Sequence, residues 1–189
     1  HTLKADYPVT ISFIQGPASP SISITSKQDL YMQGNITSPE WGTITLTSLE
    51  GSVTGADSAA IFGVTPWIEA GTSVRVSVEG DKGTLNVTAG TDIQVSAVSI
   101  DNQSSRLVVG TITSGDGDVF LQAPNGIRAA DANSLIQAER IELYARAGSI
   151  GSTGQPLRID SNIHGFGGVA ARADGDIVLR ETQGDLQLI

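Results

Sequence analysis

At 189 residues the chain is long enough for one domain with a real core, and its 39% apolar content lies between that of disordered and membrane-spanning sequences. Zero cysteines exclude a disulfide framework, a thiolate metal site and a cysteine nucleophile. The excess of 20 acidic over 11 basic residues, a net charge of −9, opposes binding to nucleic acid or to anionic membranes. Apolar and polar residues alternate through Val9-Ile11-Phe13, Ile22-Ile24, Leu30-Met32, Ile44-Leu46, Val74-Val76-Val78, Leu85-Val87, Ile93-Val95, Val119-Leu121, Ile141-Leu143 and Ile177-Leu179. That period of two predicts short half-buried strands, and the Gly, Asp, Asn and Ser between them supply turns, as in Gly115-Asp-Gly-Asp118. Good helix formers fill 131–147, with Ser134 as a cap, yet Ile141, Leu143, Ala145 and Ala147 alternate there and predict a strand. We expect an all-β chain.

One phrase, apolar-x-Leu followed by a polar turn, Gly and a further apolar residue, occurs four times: at Gly42-Thr-Ile-Thr-Leu46, Gly117-Asp-Val-Phe-Leu121, Glu139-Arg-Ile-Glu-Leu143 and Gly175-Asp-Ile-Val-Leu179. From Val119 to Ile141 is 22 residues and from Ile141 to Ile177 is 36, so the second interval is expected to carry an insertion around His164-Gly-Phe-Gly-Gly168, bulging off the rod. A period near 22 suits one coil of a parallel β-solenoid, about eight coils in all and a rod of about 40 Å at the ~4.8 Å spacing of stacked strands. A β-sandwich is the alternative, although its strands need not resemble one another. Residues 1–75 read as less regular, with Pro17, Pro20, Pro39, Pro66, Trp41 and Trp67 in longer connections. Residues 76–189 read as regular coils, continuous with 1–75 in one elongated domain. The opening residues carry no signal-peptide pattern, and the last ones stop inside an alternating strand; both are read as cuts in a longer protein.

From Gly117-Asp-Val-Phe-Leu-Gln-Ala-Pro-Asn-Gly-Ile127 through Glu139-Arg-Ile-Glu-Leu-Tyr-Ala-Arg-Ala-Gly-Ser-Ile-Gly151, Pro156-Leu-Arg-Ile-Asp160 and Gly175-Asp-Ile-Val-Leu179, the chain resembles the repeats of filamentous-haemagglutinin-like large exoproteins. The resemblance covers roughly 84–189. It implies a right-handed parallel β-helix shaft on a very large secreted bacterial surface protein that serves adhesion, biofilm cohesion or toxin delivery. The amino-terminal secretion domain of that family is absent from these residues.

No constellation of residues names a reaction. Asp116, Asp118, Asp174 and Asp176 form two Asp-Gly-Asp pairs that could offer carboxylates to Ca²⁺; two carboxylates fall short of its six to eight oxygen ligands, and a turn role is expected. Trp41 and Trp67 could stack on sugar rings or anchor loops. Arg128, Arg140, Arg146, Arg158, Arg172 and Arg180 could form a stripe facing anionic sugars, but the interleaved acids predict salt-bridge ladders between coils instead. His164 has no ligand partner nearby in sequence, and no serine has a nucleophile-elbow context. Asn35, Asn86 and Asn102 stand in glycosylation-acceptor triplets, which arise by chance in a Ser/Thr-rich chain. The expectation is a non-enzymatic structural segment without cofactor or metal, extracellular or on a cell surface. Its partners would be neighbouring coils, identical subunits end to end and possible cell-surface glycans; nucleic acid and membrane insertion are not expected. A carbohydrate-binding or polysaccharide-cleaving β-helix is the alternative.

Overall fold

The computed structural model describes residues 2–12, 14–15, 21–38, 43–62, 65–81, 83–98, 105–161, 163–165 and 167–189. Among these there is no helix, and the strand pairings are parallel. A sandwich of antiparallel strands is thereby set aside.

The first sheet stacks Thr2–Ala5, Ile22–Ser26, Thr43–Ser48, Thr65–Ala70, Leu85–Ala89, Arg106–Ser114, Leu135–Gln137, Leu157–Asp160 and Leu179–Glu181 in chain order. The second stacks Val9–Ile11, Leu30–Met32, Val53–Gly55, Val74–Glu79, Ile93–Val98, Val119–Ala123, Arg140–Ala145 and Gly168–Ala173. The chain thus passes from one sheet to the other and back on every coil, a β-solenoid of about seven turns. A third, discontinuous face is made by Ile14–Gln15, Ile36–Thr37 and Ile61–Phe62 at one end, and by Gly126–Ala129, Ile150 and Ile177 at the other.

The alternation sorts side chains between a narrow core and solvent. One inward column of the first sheet runs Ile24, Leu46, Ile68, Val87, Ile112, Ile136 and Ile159, each at most 1% exposed. Its counterpart in the second sheet runs Leu30, Val53, Val74, Ile93, Val119, Ile141 and Val169. Stacked β-branched and leucine side chains fill the space between sheets without large rings. Where Gly55 leaves a gap, Met32 of the preceding coil reaches under it, the flexible thioether taking irregular space.

Coil length varies, and this varies the face on which a given phrase falls. In the first sheet Trp67 pairs with Asn86 across a short coil, whereas Val87 pairs with Ile112 across a longer one, where a bulge follows Leu85. The four similar phrases consequently occupy different faces. Ile44 sits in the first sheet, Val119 and Ile141 in the second, and Ile177 bridges to Ile150 on the third. Strand-turn-strand chemistry is repeated along the chain, not position around the coil.

The strand expected after Ser134 forms, as Leu135–Gln137 and Arg140–Ala145. Asp131 Oδ1 accepts the N–H groups of Asn133 and Ser134, which makes a tight turn where a helix would have been capped. An insertion lies where the phrase spacing places it, but the 36-residue phrase interval overstates it, because Ile177 falls on the third face and the partner of Ile141 is Val169, 28 residues on. Ile141 pairs with Val169, and the extra length of that coil lies between Asp160 and Gly168; Gly168 itself already belongs to a strand.

Candidate functional site

The corners carry most of the polar chemistry. Ser48 Oγ donates to the Gln28 carbonyl of the preceding coil at 2.7 Å and accepts the Gly51 N–H at 3.1 Å, while Asp29 Oδ1 accepts the Ser52 N–H at 2.8 Å. Three coils on, the arrangement returns: Ser114 Oγ donates to Thr91 O, accepts from Gly117 N–H, and Asp92 Oδ1 accepts the Asp118 N–H. A Cβ at Gly51 or Gly117 would collide with the aspartate beneath, so Ser-x-x-Gly over Asp is a single interlocking corner. Asn35, Asn86 and Asp81 likewise accept N–H groups of the next coil, from Ala60, Thr111 and Arg106. Two of the three glycosylation-type asparagines therefore use their side-chain oxygen to join one coil to the next. Asn102 lies outside the described residues.

Asp116 and Asp118 flank Gly117 at one such corner and diverge in role. Asp116 Oδ1 stands 3.2 Å from His164 Nε2, which is also 3.1 Å from Gly115 O. The insertion thus folds back along the rod onto a corner two coils earlier, in place of the expected bulge away from it. Asp118 faces Asp92, Glu139 and Glu142; partial burial first, and then the Asp92 charge, push its carboxyl above the usual aspartate range, while Arg140 pulls the other way. Asp174 and Asp176 are exposed, with the Asp176 N–H on Ser149 Oγ. Among the described residues no three His, Cys, Asp or Glu groups are placed to hold a metal ion.

Trp67 lies on the outer face of the first sheet between Thr45 and Asn86, 46% exposed, its indole N–H donating to Glu69 Oε1 at 3.1 Å. Trp41 lies outside the described residues. The arginines of the last third do not form the expected ladders of acid pairs between coils. Arg140 pairs with Glu142 two positions along its own strand, Arg158 donates to the Ala132 carbonyl, and Arg172 stacks on the Tyr144 ring of the adjacent coil. Ion pairs between coils do occur, at Lys27–Glu50 (3.7 Å) and Arg75–Asp57 (3.4 Å). Arginine finds carbonyls and rings as readily as carboxylates because its planar fork suits all three.

A site not foreseen from sequence lies along the third face. Arg106, Asn125, Gly126, Ile127, Arg128, Gly148, Ser149, Gly151, Ser152 and Gln155 line an open groove of about 320 Å³. The signal that could have found it is the one-coil spacing of Arg106 and Arg128, which places both on neighbouring strands.

The fold defines the class: a parallel β-solenoid with interlocked corners. Comparison of the chain with protein-family models, curated proteins and solved structures returns no match.

Proposed function

We propose that this chain is a non-enzymatic shaft segment of a large secreted or cell-surface bacterial protein, which extends and presents other parts of that protein. The observation that carries the reading is the continuity of both sheets from the Thr2–Ala5 coil to the Leu179–Glu181 coil, with side chains at two corners bonding adjacent coils together. Interstrand hydrogen bonds of such a stack lie along the rod, the direction in which a shaft is loaded. The resemblance of 84–189 to filamentous-haemagglutinin-like repeats supports the same reading. Leu3, Tyr7, Leu188 and Ile189 lie exposed beside the terminal coils, and further coils, of the same chain or of a second copy, are the partners that would cover them. Antibodies raised against this segment test the proposal: they should label intact source cells or their medium, and labelling only after permeabilisation would sink it.

Trp67 favours a second reading, glycan contact on the outer face of the first sheet, because an indole half-exposed and held by Glu69 is a ready stacking platform. Loss of glycan-array signal in Trp67→Ala would support it, and an array blank for the native segment would remove it.

A further inference from the structure

We propose that the groove on the third face binds the carboxylates of an acidic polysaccharide through Arg106 and Arg128, a site separate from Trp67 and independent of the shaft role. Four observations lead there. Both side chains are exposed and line the groove, and neither guanidinium meets an acidic side chain among the described residues, in a chain where acids outnumber bases by 20 to 11. The Asp81 carboxylate accepts the backbone N–H of Arg106. Among the described residues no acidic side chain lines the groove. The rest of its lining includes the small, uncharged Gly126, Gly148, Ser149 and Gly151.

The chemistry of the rim narrows the ligand. Arginine's planar fork matches a carboxylate with two parallel hydrogen bonds, and strand pairing of Arg106 with Gly126 and of Arg128 with Val108 sets the two forks two positions apart on adjacent strands. Asn125, Ser152 and Gln155 add amide and hydroxyl groups suited to sugar hydroxyls, and among the described residues Ile127 alone is apolar, so an apolar ligand has little to bury. Nucleic acid would bring bases as well as phosphates, and among the described residues no aromatic side chain lines the groove to stack on them. A uronate polymer also carries a charge on every residue, but it sets each carboxylate among hydroxyls that Asn125, Ser152 and Gln155 suit.

The test is titration of the native segment at low salt with hexa-oligogalacturonate, maltohexaose and dextran sulfate, read by calorimetry and by backbone amide shifts. Oligogalacturonate should bind, weaken as salt rises, and shift the amides of Gly126, Gly148, Ser149 and Gly151 in the unmutated protein. Arg106→Gln and Arg128→Gln should each weaken it about tenfold, the loss of one charge-assisted bidentate contact, with unchanged circular dichroism. Trp67→Ala should leave it unchanged. Absence of binding, equal affinity for maltohexaose, binding of dextran sulfate alone, or sensitivity to Trp67→Ala but not to the arginine changes would each overturn the proposal.

Discussion

Gly148 holds φ at +123°, and a Cβ built there would overlap the Asn125 carbonyl oxygen of the coil before it. Backbone strain and contact act together, so Gly148→Ala should destabilise the fold by about 2 kcal/mol or more in denaturant unfolding. Gly154, with nothing within 4 Å of where a Cβ would stand, should accept alanine with little change. Asp118 gives a second residue-scale prediction. Its carboxyl is raised in the folded state, so the folded chain holds that proton more tightly than the unfolded chain does. Its contribution to stability is fully present below the unfolded aspartate value of 3.8 and is lost as pH rises through the raised value. Asp118→Asn, which keeps the backbone N–H on Asp92, should therefore raise the melting temperature at pH 7 and leave it unchanged near pH 3. A variant less stable than the native protein at pH 7 would contradict this account of burial and acidic neighbours.

The element that repeats is the corner. Ser48 is 1% exposed and Ser114 likewise, and each hydroxyl both donates to the coil below and accepts within its own turn. Alanine at either position leaves a carbonyl and an N–H without that partner, and should cost about 1–3 kcal/mol by equilibrium unfolding. Three coils separate the two corners, so the double variant should lose close to the sum of the singles; marked non-additivity would mean that the corners communicate along the rod. The strand columns obey the same local logic. Ile112 is fully buried between Val87 and Ile136, and Ile112→Ala should cost about 2–5 kcal/mol through lost burial and the cavity left behind.

Along the whole rod, each coil touches mainly the coils beside it, which makes stability a sum over neighbours. Pulled from its two ends, the chain should surrender whole coils, with length gains near about 75 Å or small multiples, the extended length of about 22 residues. Loss of the entire structure in one event would show that the coils do not yield separately. The core ends unlike its middle: the column Ile112, Ile136, Ile159 continues to Glu181, whose carboxylate accepts from the Ser161 hydroxyl and N–H instead of joining the apolar stack.

Every feature with a period of two or a fixed local turn was legible in the chain alone: the β character, the stacking of similar parallel coils, the strand in 140–145 in place of a helix, and the place, though not the length, of the insertion around His164. These depend on neighbours a few positions away, and the alternation states them directly. Which face each phrase occupies emerged only from the stacked coils, because coils of unequal length shift the phase around the rod. Stacking also brought His164 to Asp116, turned the arginines to carbonyls and a ring, and gathered Arg106, Arg128 and Gln155 into one groove. Those contacts join residues a coil or more apart in sequence, and a small offset accumulated at each coil is enough to make or break them.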